Sequence, residues 1–173
     1  MIGRAAIISL VFFAEIGAAV GVGRAQTVQA APTPSGQPVP RFESLRFDDV
    51  NGRAGPSIDH PIEWRYRRAG LPLEVIAETQ SWRRVRDPDG DQVWVHRRTL
   101  RARRTVSPVS ARASVHARPD ETAPVKAWLA TGAIADVERC ERNWCLLAVQ
   151  GLRGWTPQAG LWGLYPGETL GED

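Results

Sequence analysis

The sequence predicts an all-β protein: two tandem small antiparallel barrels behind a signal peptide and a Pro-rich linker. Three observations predict it. First, the stretch S-W-R-R-V-R-D-P-D-G-D-Q-V-W-V-H-R-R-T-L at residues 81–100 returns in degenerate form about sixty residues later, at 143–161. Trp82 falls on Trp144, Val85 on Leu147, Gly90 on Gly151, Trp94 on Trp155 and Leu100 on Leu161, with one residue of slippage in the turn. Second, the match runs upstream, with Arg53-Ala54-Gly55-Pro56 opposite Ala117-Arg118-Pro119, and Gly70 to Val75 opposite Gly132 to Val137. A unit of about sixty residues is too long for a solenoid repeat and near the lower size at which a compact domain folds alone. Third, short strand-like runs alternate with Gly and Pro turns, and no long helical period interrupts them.

The chain opens with Met1-Ile2-Gly3-Arg4, continues through an apolar run to Val22 and reaches Gly23-Arg24-Ala25-Gln26. A basic start, an apolar middle and a small-residue cleavage site make a secretory signal peptide over residues 1–25, cut after Ala25. The competing reading is a retained membrane anchor. Glu15 argues against it, because a charge near the centre of a spanning helix costs about 3 kcal/mol. Cleavage removes Arg4, Arg24 and Glu15, which lowers the formal net charge from +3 to +2. Residues 26–40 hold four prolines among small polar residues and offer little apolar surface to offset ordering, so they read as a disordered, extended linker.

The first repeat spans 41–104. Asn51 to Ser57 reads as turn chemistry after a short strand ending near Val50, since Gly allows positive φ and Pro holds φ near −65°. Leu73 to Glu78, Trp82 to Arg86 and Gln92 to His96 read as strands, with Asp87-Pro88-Asp89-Gly90 as the turn between the last two. Glu63 to Arg68 is open between one helical turn and a strand. The second repeat spans 110–168, after a short linker at 105–108. Ile134 to Glu138 and Cys145 to Val149 are its clearest strands, and Cys145, Leu147 and Val149 share one face. Cys140 and Cys145 are the chain's two cysteines, and in an exported protein such a pair across a hairpin is most simply a disulfide.

The order of signals in each unit resembles the bacterial SH3 domain, a small five-stranded barrel. That order is Val-x-x-Arg-x-x-Pro, a Pro-hydrophobic step, Gly-x-x-x-x-Val, Trp-x-x-Val, a Gly turn, Trp-Val and a closing Leu. The closing segment Leu161-Trp162-Gly163-Leu164-Tyr165-Pro166-Gly167-Glu168 is similar to that of exported tandem members of the family. Val93 stands where the family usually has Gly, and Thr156 where it has an apolar residue, which points to altered strand geometry at both places. The resemblance implies association with peptidoglycan, its peptide stems or envelope proteins.

Charge is uneven between the repeats. Residues 41–104 carry fourteen Arg against ten acids, +4, whereas 105–173 carry six basic against eight acidic residues, −2. The cluster Arg97-Arg98-Thr99-Leu100-Arg101-Ala102-Arg103-Arg104 reads as a solvated face or inter-domain linker, with anionic envelope polymers or lipid headgroups second; nucleic acid conflicts with export. Chemistry-bearing constellations are missing from the sequence. No Gly-x-Ser-x-Gly elbow, phosphate loop or His-Glu-x-x-His pattern occurs, and His60, His96 and His116 lack metal-ligand spacing. The expectation is therefore no enzyme, no cofactor and no metal.

Among the aromatics Trp64, Tyr66, Trp82 and Trp94, the last is expected to fill the core. Tyr66, Trp82 and the neighbouring Arg83 and Arg84 are the expected ligand site, because the matching positions Leu129, Trp144, Cys145 and Leu146 lack the cations. The function expected is a non-catalytic envelope binding module for peptidoglycan, peptide stems or an envelope protein, with no membrane span after cleavage. The alternative is a scaffold in which the two barrels pack together and no glycan is bound.

Overall fold

The computed structural model describes residues 33–109 and 111–171, so the expected signal peptide lies outside the described residues. The first sheet contains β1 (Arg41–Leu45), β2 (Val50–Arg53), β3 (Ile62–Tyr66), β4 (Pro72–Glu78), β5 (Trp82–Arg86), β6 (Gln92–His96) and β7 (Leu100–Arg101). The second contains β8 (Thr105–Pro108), β9 (Arg112–His116), β10 (Val125–Ala130), β11 (Ala135–Glu141), β12 (Trp144–Val149), β13 (Leu152–Pro157) and β14 (Leu161–Trp162). Strand order is β3-β2-β6-β5-β4-β1-β7 in one and β10-β9-β13-β12-β11-β8-β14 in the other, the same topology twice. Register repeats as well: Arg84 faces Trp94 and Trp82 faces His96, while Leu146 faces Trp155 and Trp144 faces Pro157.

Period-two alternation buries one face of each sheet. Leu45, Leu73, Val75, Val85 and Val95 centre the first core, and Val106, Val115, Leu129, Cys145 and Leu147 the second. The departures at Val93 and in the second repeat are balanced across the sheet. A Cβ on Gly52 would lie 2.5 Å from the Val93 side chain, and a Cβ on Gly154, the counterpart of Val93, would lie 2.5 Å from Val115, the counterpart of Gly52. The bulky residue and the glycine have exchanged strands, so the cores fill without a change of register. Thr156 is fully buried opposite Cys145, and its Oγ1 has no hydrogen-bond partner.

Four expectations need correction. Residues 105–108 are not a linker: they form β8, buried throughout and paired with β11 and β14. Asn51–Arg53 continues β2 rather than turning, whereas the choice left open at Glu63 to Arg68 falls to strand as far as Tyr66, in β3. Residues 33–40 are not free of the barrel, because Val39 packs on the first core and Ser35 N–H donates to Glu78 Oε1 at 2.7 Å. Trp94 is half-buried, and Trp82 is the buried indole, its ring edge-on to His96 at 5.4 Å.

Only residues 102–104 separate β7 from β8, and the two barrels pack against each other. Thr105 Oγ1 donates to Gly70 O at 2.6 Å and lies 2.6 Å from Ser44 Oγ. Phe42 meets the rings of Trp162 and Tyr165 at 5.2 and 4.9 Å. Arg103 pairs with Asp136, and Arg104 forks onto Glu168 at 2.7 and 2.9 Å while lying over the Phe42 ring. Two of the cluster's five arginines, Arg103 and Arg104, thus serve the seam between barrels, and Arg97 and Arg98 remain exposed.

Candidate functional site

Packing the barrels together creates a groove of about 410 Å³ that neither barrel has alone. The first barrel supplies residues 64–68, Leu71 and 87–89; the second supplies 107–109 and 131–132. β3 is the terminal strand of its sheet, which leaves Trp64 47% exposed, while Tyr66 turns inward and is buried. Their rings meet edge-on, 6.4 Å apart, so Trp64 is the aromatic face at the mouth and Tyr66 supports it from below.

The floor is polar and pre-ordered. Tyr66 Oη donates to Asp87 Oδ2 at 3.2 Å, and Asp87 Oδ1 accepts the backbone N–H groups of Asp89 and Asp91 at 3.1 and 3.0 Å. Burial raises the Asp87 carboxyl pKa above its ordinary value, although the hydrogen bonds oppose this. Burial, then the Asp87 charge, push the Tyr66 phenol far upward, so Tyr66 stays a donor at neutral pH. On the opposite rim Arg68 Nη1 donates to Gly132 O at 2.7 Å, which ties the barrels at the groove. Arg65 reaches Asn51 Oδ1 at 3.2 Å and Asp49 at 3.3 Å, and Arg67 is exposed. The groove therefore has a cationic side, an acidic end at Asp87 and Asp89, and an aromatic mouth.

A second groove of about 580 Å³ lies wholly on the second barrel, around Trp144, Gln158 and Tyr165. Its aromatic groups are engaged: Trp144 packs edge-on to His116 at 5.2 Å, and Tyr165 Oη donates to Glu74 Oε1 at 3.0 Å. Among the described residues no group of three His, Cys, Asp or Glu side chains is placed to hold a metal ion, and no helix is long and apolar enough to cross a membrane.

The family model for the bacterial SH3 domain matches residues 48–102 and again 109–163. The chain belongs to the bacterial SH3 family. No curated protein matches it. Two solved structures from Trichomonas vaginalis are similar: NlpC1, at 10% identity over 72% of this chain with a TM-score of 0.33, and NlpC2, at 8% over 71% with 0.32. The chain spans less than half of each, 46% and 48%.

In this bacterial SH3 pair the four expected ligand residues do not converge. Tyr66 lies in the inter-barrel groove, by Asp87 just beyond the end of β5, whereas Trp82 begins that strand and packs on His96. Arg83 is buried and ion-pairs with Glu78 at 3.0 Å, donating also to Thr79 O at 2.8 Å. The same Glu78 carboxylate accepts Arg41 at 2.9 Å. Burial opposes its charge, but the Ser35 and Arg41 hydrogen bonds and the Arg83 charge outweigh burial and bring its pKa to about 2. Arg84 is exposed on β5 opposite Trp94. Alternation explains the separation: Arg83 shares the inward face with Val85, so its charge is matched inside.

Cys140 and Cys145 form the expected disulfide, joining directly opposed positions of β11 and β12. Trp64, singled out as an aromatic candidate but left out of the expected site, is exposed because β3 is an edge. The cations beside it, Arg65, Arg67 and Arg68, were legible only as charge; their grouping around a groove needs the second barrel.

Proposed function

We propose that this bacterial SH3 pair is a non-catalytic, exported binding module of the cell envelope whose ligand site is the groove between the barrels. The observation that carries the reading is the exposed Trp64 beside Tyr66, flanked by arginines, in a groove built by both barrels. Trp128 is exposed too, but it lies outside this groove under Arg112, whereas Trp64 presents its indole within the groove beside arginines, the kind of group that anchors a ligand. Family membership, together with the disulfide, supports an oxidising envelope location and a cell-wall ligand, peptidoglycan or its peptide stems. The stems carry carboxylates that guanidinium groups can bind bidentately. Tyr66 is retained from the expected site; Trp82 and Arg83 act by holding β5 and the end of the core.

A second reading follows from the hydrogen bonds and aromatic contacts across the seam: the fused barrels are a rigid scaffold for an envelope protein, with no glycan bound. Co-sedimentation with purified sacculi, run beside capture of purified envelope proteins, separates them. Sacculus binding that Trp64→Ala abolishes supports the module. Sacculus binding unaffected by Trp64→Ala, or none at all with protein capture intact, overturns it.

A further inference from the structure

The edge of β3 bears on what the groove accepts. Among the described residues β3 pairs with β2 on one side and with no strand on the other. A free strand edge presents N–H and C=O groups alternating along a line, and the group that matches this row is another extended peptide backbone. A glycan offers hydroxyls without that repeat. The pairing of β2 and β3 shifts register between Gly52 and Arg53, where β3 passes from Trp64 to Ile62, so the regular edge begins at Trp64, where the groove also begins.

Charge sets the ligand's chemistry. Arg67 and Arg68 line one end of this edge, and Arg68 has donors left beyond the one spent on Gly132 O. Asp87 and Asp89 hold the other wall and repel an anion there. The equivalent edge on the second barrel, β10, also exposes an indole, Trp128, but Arg112 lies over that ring at 4.2 Å, Leu129 and Ala130 stand at the positions of Tyr66 and Arg67, and the small depression there is lined by the second barrel alone.

We infer that the groove takes an extended peptide carrying carboxylates, added as one more strand to the β3 edge at residues 64–67. Its apolar side chains lie on the exposed Trp64 ring and its carboxylates on Arg67 and Arg68, with one such site per chain. This rests on the groove assignment made above and names the chemistry and binding mode of its ligand.

The test uses the full mature chain and three probes: acetyl-Ala-Glu-Ala-Glu-Ala with a free carboxylate, the same peptide N-methylated at alternate backbone amides, and a soluble hexamer of N-acetylglucosamine. The first peptide is expected to bind one-to-one by calorimetry and to slow amide exchange at residues 64–67. N-methylation is expected to weaken it at least about tenfold, as is Arg67→Glu with Arg68→Glu. Equal affinity of the methylated peptide, no protection at 64–67, or binding of the sugar hexamer but not the peptide overturns the inference. Those outcomes leave the groove reading standing if sacculus binding still depends on Trp64. Peptide binding with protection at 64–67 but no sacculus binding supports the strand addition and overturns the cell-wall reading.

Discussion

The indole Nε1–H of Trp162, on the last strand of the second barrel, donates to the carbonyl oxygen of Pro72, the first residue of β4 in the first barrel, at 3.0 Å. Around this bond Phe42 meets Trp162 and Tyr165, and Tyr165 Oη reaches Glu74, which also holds Arg86. The closing segment of the sequence is therefore a clasp between barrels.

Trp162→Phe keeps the ring and deletes the donor, leaving Pro72 O without that partner. A loss of about 1 kcal/mol in denaturant unfolding is expected. Gly163→Ala is expected to cost more, above about 2 kcal/mol, because φ there is 111° and a Cβ would lie 2.3 Å from Thr105 O. Either variant is expected to open residues 102–104 to proteolysis, and unchanged stability and cleavage would argue against the clasp.

Glu78 makes the first barrel acid-sensitive. Its folded pKa of about 2 lies below the ordinary 4.5, so its contribution is fully present above pH 4.5 and is lost as pH falls toward 2. Melting temperature is expected to drop across that window. Glu78→Gln is expected to lower stability at neutral pH and flatten the acid slope, since it leaves Arg41 and Arg83 without their anion.

Reduction of the Cys140–Cys145 bond releases a short hairpin loop. The chain-entropy account gives about 2 kcal/mol for a five-residue separation. Cys140→Ser with Cys145→Ser is expected to lower the urea midpoint accordingly, and intact mass under non-reducing conditions is expected to show no free thiol in protein from its native compartment.

Trp64→Ala and Trp82→Ala are expected to act oppositely. The first removes a half-exposed ring, so stability changes by less than about 0.5 kcal/mol while sacculus affinity falls at least about tenfold. The second removes a buried ring and costs about 3–5 kcal/mol. Trp82→Ala with Arg84→Ala, measured where the variant is still folded, is expected to retain affinity. A loss of affinity there, with Trp64→Ala neutral, would return the site to β5.

Much of this protein was determined by the sequence alone, because its signals are local. Alternation, turn residues and the spacing of Trp82 with Trp144 and Trp94 with Trp155 specify strands, register and the doubling of one topology. The opposed cysteines follow from the same hairpin reading. Tertiary structure decided the rest through contacts between distant segments. Charge and aromaticity at Trp82-Arg83-Arg84 suggested a surface, but whether an arginine faces solvent or an internal glutamate depends on Glu78, which belongs to another strand. The four residues 105–108 look like a linker until β11 and β14 pair with them. The groove itself exists only because the second barrel closes against β3, and no periodicity within one strand encodes where a neighbouring barrel will pack.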